Sequence, residues 1–130
     1  MSWNVRRTGI AVILAGLTAL PAALSATPAQ ASAGALWLGQ HQNLRGSLWL
    51  YYDNNSNLKN ESGDKASSVH NDTEDAWVLF EHDTYQGRRY CIRSGQLIND
   101  LHNPAWNFGD KISSVLRLNV PHCSGWPTFN

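Results

Sequence analysis

The sequence predicts an all-β domain, a sandwich of two Greek-key motifs, and three observations predict it. A seven-residue loop occurs twice in the chain. Short runs of β-forming residues are cut apart by Gly, Asn, Asp and Ser. No stretch after residue 33 carries a helical period over about twelve residues.

The repeat organises everything else. Gly63-Asp64-Lys65-Ala66-Ser67-Ser68-Val69 recurs 46 residues later as Gly109-Asp110-Lys111-Ile112-Ser113-Ser114-Val115, identical at six of seven positions. Such self-similarity marks a repeated structural unit. Aligning Gly46 with Gly87 also pairs Leu38 with Leu79, His41 with His82, and Leu44 with Tyr85. The gap from this glycine to the loop is 17 residues in the first copy and 22 in the second, which places a five-residue insertion around Gln96–Pro104. Residues 36–72 and 76–119 are therefore read as two copies of one unit, with a tail over 120–130. Leu48–Tyr52, Trp77–Phe80, Arg89–Ile92 and Ser114–Leu118 are the clearest strands. Four strands per copy give two Greek keys. Five Trp, four Tyr and three Phe beyond residue 33 suit a small core that must bury area with few side chains.

The first 33 residues read differently. Met1–Arg7 is short and basic, Thr8–Ala26 is almost wholly apolar or small, and Ala31-Ser32-Ala33 fits a cleavage site. This pattern is a secretory signal peptide, the alternative being a retained anchor. The remaining domain, 34–130, has eight basic and ten acidic residues. That balance argues against a nucleic-acid partner, which needs a basic surface. It also offers no polybasic patch to a membrane. The protein is expected to be extracellular and monomeric. Cys91 and Cys123 are the only cysteines. Outside the cell an even count favours a disulfide, worth roughly 3–4 kcal/mol for a loop of this length, with free thiols as the alternative.

Phe80-Glu81-His82-Asp83-Thr84-Tyr85-Gln86-Gly87 followed by Gly109-Asp110-Lys111-Ile112-Ser113-Ser114 resembles the βγ-crystallin Greek-key motif. In such a motif Gly87 takes a backbone conformation that a side chain opposes. The aromatics pack across the folded hairpin, and serine hydroxyls bond back to its backbone. The first copy is similar but has Gly39 and Leu44 where the second has Phe80 and Tyr85. Within that superfamily the layout resembles the secreted actinomycete peptidase-inhibitor family, whose targets include thermolysin-like metalloproteinases. The resemblance implies a peptidase inhibitor with a secreted protease as partner. The inhibitory family's reactive loop holds a Cys-Val bond, whose nearest analogue here is Cys91-Ile92, expected inside a strand.

The same resemblance implies calcium, the only cofactor expected. Carried over by position, Asp64 and Asp110 lie at two sites, each shared between the copies. Ser67 and Ser113 offer hydroxyls, and Lys65 and Lys111 offer backbone carbonyls. Hard oxygen donors of this kind suit calcium, with affinity of roughly 10⁻⁴–10⁻³ M or somewhat tighter. Gly63 and Gly109 stand where the motif has Asn or Asp. The alternative is that these residues only satisfy the backbone of a tight turn. A calcium-binding module without inhibitory activity, acting at the cell wall or as a toxin-like antimicrobial, is the second functional expectation.

Other chemistries fare worse. His41, His70, His82, His102 and His122 lack metal-ligand spacing. No nucleophile elbow marks an enzyme, and Glu81 with Asp83 does not place two carboxylates across a cleft. Arg88, Arg89 and Arg93 read as a solvated strand edge. For protease binding the expected segment is the loop Gly95–Asn99, with Leu97 and Ile98 as apolar contacts, unless they plug the end of the sandwich. Trp106 and Trp126 are candidates for stacking on carbohydrate, unless they are core. Asn54, Asn60 and Asn71 head glycosylation sequons.

Overall fold

Seven strands run across residues 34–130, the part of the chain that the computed structural model describes. They are β1 (Leu36–His41), β2 (Arg45–Tyr51), β3 (Ser68–Asn71), β4 (Trp77–His82), β5 (Gln86–Ile92), β6 (Leu97–Ile98) and β7 (Ser114–Arg117). One 3₁₀ turn, Gln42–Leu44, links β1 to β2. The leader expected over residues 1–33 lies outside the described residues. Among those described, no helix is long and apolar enough to cross a membrane.

Two antiparallel sheets form, ordered β2-β1-β3-β6 and β5-β4-β7. Their registers match residue for residue. Leu38 pairs with Trp49 and Val69, and Leu79 pairs with Tyr90 and Val115. Both sheets shift register near the folded hairpin, between Gly39 and His41 and between Phe80 and His82. The copies exchange their third strands. Val69 of the first copy pairs with Ile98 of the second, and Asn55 of the first bridges Val115 of the second. In the first copy this third strand has shrunk to a single bridge, because a polar Asn run stands where Leu97-Ile98 stands in the second.

This exchange relocates the expected insertion. Leu58 N donates to Ser113 O, and Leu101 N donates to the equivalent Ser67 O. Leu58 and Leu101 therefore correspond. Two of the five extra residues precede the third strand and three follow it, rather than forming one block at Gln96–Pro104. The loop expected at Gly95–Asn99 is likewise corrected. Leu97 and Ile98 are strand β6, held because Asn71 N donates to Gln96 O and Asn43 N to Asn99 O.

The hairpins carry the strain. Leu44 and Tyr85 sit at φ 57° and 58°, with Gly46 and Gly87 at 77° and 85°. Left-handed backbone is costly for a side-chain residue unless its surroundings hold it there. Ser68 and Ser114 do so. Ser68 Oγ donates to His41 O at 2.7 Å and accepts from Leu44 N at 2.9 Å. Ser114 Oγ does the same for His82 O at 2.7 Å and Tyr85 N at 3.1 Å. Phe80 and Tyr85 pack edge to face across the second hairpin at 5.6 Å.

The main core lies between the sheets, around Leu36, Leu38, Val69, Trp77, Leu79, Ile92 and Val115. Phe129 of the tail reaches into it, stacked on Tyr90 at 4.7 Å. Trp106 packs half-buried against this core. A second cluster lies outside the β5-β4-β7 sheet, where Val78, Phe80, Cys91 and Leu116 meet Cys123 and Trp126. The Cys91–Cys123 disulfide pins the tail there. Asn71 is fully buried and its Nδ2 donates to the carbonyls of Asp75 and Arg93, so this sequon is a structural hub. Its Oδ1 accepts from Thr73, whose hydroxyl in turn accepts from Trp77 Nε1.

Candidate cation site

The duplicated loops face each other across the interface between the copies. Asp64 N donates to Ile112 O at 3.0 Å, and Asp110 N donates to Ala66 O at 2.8 Å. Both aspartates take left-handed backbone, φ 57° and 58°. Asp is among the few side chains that tolerate it. Glycine precedes each because a Cβ at residue 63 would lie 2.9 Å from Leu58 O, and one at residue 109 would lie 2.3 Å from the His102 ring.

At the first cradle the copies meet through side chains. Ser113 Oγ donates to Asp64 Oδ1 at 2.9 Å and lies 3.3 Å from Lys111 O. The pair opens into a cleft of about 750 Å³ that Glu81, Asp83 and Asp110 also line, with Lys59 and Lys111 as the cations. Carboxylate, hydroxyl and carbonyl oxygens converge here from both copies. That donor set fits a hard divalent cation. Among the described residues no three His, Cys, Asp or Glu side chains gather to hold a metal. Hydroxyl, carbonyl and water oxygens would therefore complete the shell of an ion at Asp64. Of the residues proposed from sequence, Asp64, Lys111 and Ser113 are brought together.

The second cradle is built differently. Ser67 Oγ is hydrogen-bonded to His102 Nε2 at 3.0 Å, and the same nitrogen stands 3.8 Å from Asp110 Oδ2. An imidazole thus sits between the hydroxyl and the carboxylate that pair directly in the first cradle. Gln42 and Arg45 line this side, with His41 and Asn43. Gln42 is the repeat equivalent of Asp83. Lys65 N donates to Ser62 O within its own loop. The motif alone did not single out His102, and its one signal was its place in the longer second copy.

The remaining candidates scatter. Leu97 is 44% exposed on the outer face of β6, whereas Ile98 is core at 7%. Cys91 and Ile92 are fully buried in β5. Trp106 and Trp126 are both half-buried against the apolar clusters. Arg88 and Arg89 are engaged, whereas Arg93 is exposed. Arg88 donates to the carbonyls of Trp106 and Asn107 at 2.7 Å each, and the Arg89 guanidinium lies 5.1 Å from the Phe80 ring centre.

No protein-family model matches the chain, and no curated protein matches it either. Solved structures do. One, concerned with the evolution of the eye-lens βγ-crystallin domain fold, is 26% identical with a TM-score of 0.60 over 65% of this chain and 85% of that one. A βγ-crystallin from Ciona intestinalis is 20% identical, TM-score 0.58, covering 65% of this chain and all of its own. Spherulin 3a from Physarum polycephalum is 24% identical, TM-score 0.56, over 70% and 88%. Two antiparallel sheets and these likenesses lead to one conclusion: the fold is that of the βγ-crystallin domain.

Proposed function

We propose that this chain is a secreted, non-enzymatic βγ-crystallin module that binds one calcium ion between its two Greek keys. The observation that supports it is the Asp64–Ser113 pair, two oxygen donors from opposite copies at the mouth of an acidic cleft. A bound ion would take the place of the serine proton between them, with Lys111 O as a third donor, and so tie one copy to the other. Ligand binding stabilises the folded state by about 1.4 kcal/mol at a tenfold excess over Kd. For a domain of this size that is a rise of several degrees in Tm. Calorimetric titration with calcium up to about 10 mM, beside Asp64→Asn, tests the reading. Binding that Asp64→Asn abolishes supports it; no heat and no change in Tm overturn it.

Its working surface in this reading is the outer face of β2-β1-β3-β6, where Leu50, Trp37, His70 and Leu97 form one cross-strand row, with Tyr52, 59% exposed, just past the end of β2. Exposed aromatic rings suit stacking on a wall polysaccharide. Co-sedimentation with insoluble cell wall, lost in Tyr52→Ala, checks this.

A peptidase inhibitor is the second reading, and one observation favours it. Leu97 stands exposed on edge strand β6, and extended edges are the form in which peptide-binding proteins engage a strand. The Cys91-Ile92 bond, by contrast, is buried and unsuited to presentation. Titration against a thermolysin-like metalloproteinase with a break near one to one would support inhibition. Full protease activity at large excess would exclude it.

A further inference from the structure

The two cradles are repeat equivalents, yet only in one does the serine of one copy meet the aspartate of the other directly. We infer that His102 is a resident plug of the second cradle, its imidazole standing where a cation would stand, so that the protein takes one divalent ion rather than two. The inference deepens the calcium reading above and rests on it for the first cradle only.

Four features of the chain converge on it. Ser67 Oγ, the counterpart of the Ser113 oxygen, is engaged by His102 Nε2 at 3.0 Å instead of by an aspartate. Asp110, the counterpart of Asp64, is held 3.8 Å from that same nitrogen. The ring lies against Gly109, where a Cβ would stand 2.3 Å from its Cε1 and Nδ1. Glycine at this position of the loop therefore makes room for the plug. Charge agrees with shape. Where the first cradle has Asp83, the second has Gln42, and Arg45 also lines the second cradle. A divalent ion entering there would meet an imidazole and a guanidinium in place of a second carboxylate.

The plug is supplied by the asymmetry of the duplication. Leu58 and Leu101 correspond, but four residues lie between Leu58 and Gly63 and seven between Leu101 and Gly109. The longer path carries His102 across to Ser67. Its backbone is fixed there, since His102 N donates to Asp100 Oδ1 at 2.9 Å and Phe108 N donates to Leu101 O at 2.7 Å. The side chain is thus placed by an ordered turn.

Calcium stoichiometry tests the inference, measured by calorimetry on the domain 34–130 with its disulfide formed. Wild type is expected to bind one ion and His102→Ala two, the second through Ser67 and Asp110. Near-UV circular dichroism checks that the variant is folded, and His102→Ser, which keeps a small polar group in the space, is the second variant. Asp64→Asn separates this inference from the calcium reading. Asp64→Asn alone should bind none, and Asp64→Asn with His102→Ala should bind one. A folded His102→Ala and His102→Ser that still bind one ion overturn the plug and leave the first site standing. Two ions in wild type overturn it as well. No ion in wild type with one in His102→Ala overturns the first-site reading and supports the plug.

Discussion

The two Greek keys share a register residue for residue, but their outer faces are finished in opposite ways. In the second, Val78, Phe80, Cys91 and Leu116 are roofed by Cys123 and Trp126 of the tail. In the first, the equivalent positions are Trp37, Gly39, Leu50 and His70; Leu44 covers Gly39, but neither apolar cluster extends over the others, and Leu50 is 39% exposed. The edges differ in the same sense. On β5, Cys91 N donates to Pro127 O and Arg88 and Arg89 break up the strand, whereas β2 has no charge from Gly46 to Tyr51. One tail cannot serve two faces. A duplicated fold therefore need not have duplicated surfaces, and the departures from symmetry mark where its two halves can act differently.

The comparison breaks most visibly at the roofed face. Phe80→Ala empties a site lined by Tyr85 and Trp126 and should cost about 3–5 kcal/mol in urea unfolding. Leu50→Ala, on the bare face, should cost well under half of that. If both cost the same, the first face is covered in solution. Cys123→Ser releases the roof and should lose roughly 3–4 kcal/mol with little change in β-sheet circular dichroism, because both sheets remain paired.

Two smaller tests sharpen the symmetry itself. Ser68→Ala and Ser114→Ala each remove a buried hydroxyl that makes two hairpin bonds, and each should cost about 1–3 kcal/mol. Near-equal losses would show that the two locks carry equal weight; a large difference would show that one hairpin holds its left-handed turn by other means. At the core position where the second copy has Ile92, the first has Tyr51. Burial, opposed by bonds to Ser62 and helped by the hydrogen bond and charge of Glu61, pushes the Tyr51 hydroxyl up to about 12. The folded state then holds a proton that the unfolded chain releases near pH 10. Stability should be intact below that pH and fall as the pH rises toward 12, by an amount on the order of 2 kcal/mol. Tyr51→Phe should flatten that slope.

Much of this arrangement was readable in the chain. The repeated Gly-Asp-Lys-x-Ser-Ser-Val segment encodes local geometry, a left-handed aspartate and a back-bonding serine, and such geometry follows from residue type at fixed spacing. Strands β1, β3 and β6 were harder to see. β1 contains a glycine, β3 is polar at three of four positions, and β6 has two residues. Each is a strand because of what it pairs with. Leu97 and Ile98 look alike in sequence, yet the pleat sends one to solvent and the other to the core.

By itself the sequence determined the duplication, the sandwich and the one disulfide that its two cysteines allow; which aspartate meets which serine across the copies it left open. Tertiary structure alone decided that His102 lies between Ser67 and Asp110, and that the tail roofs one sheet and leaves the other bare. The physical reason is range. Turn and strand preferences act over a few residues, whereas His102 meets a serine 35 positions away and Cys123 meets a partner 32 positions away. Which of two equivalent places such a segment fills depends on packing over the whole domain.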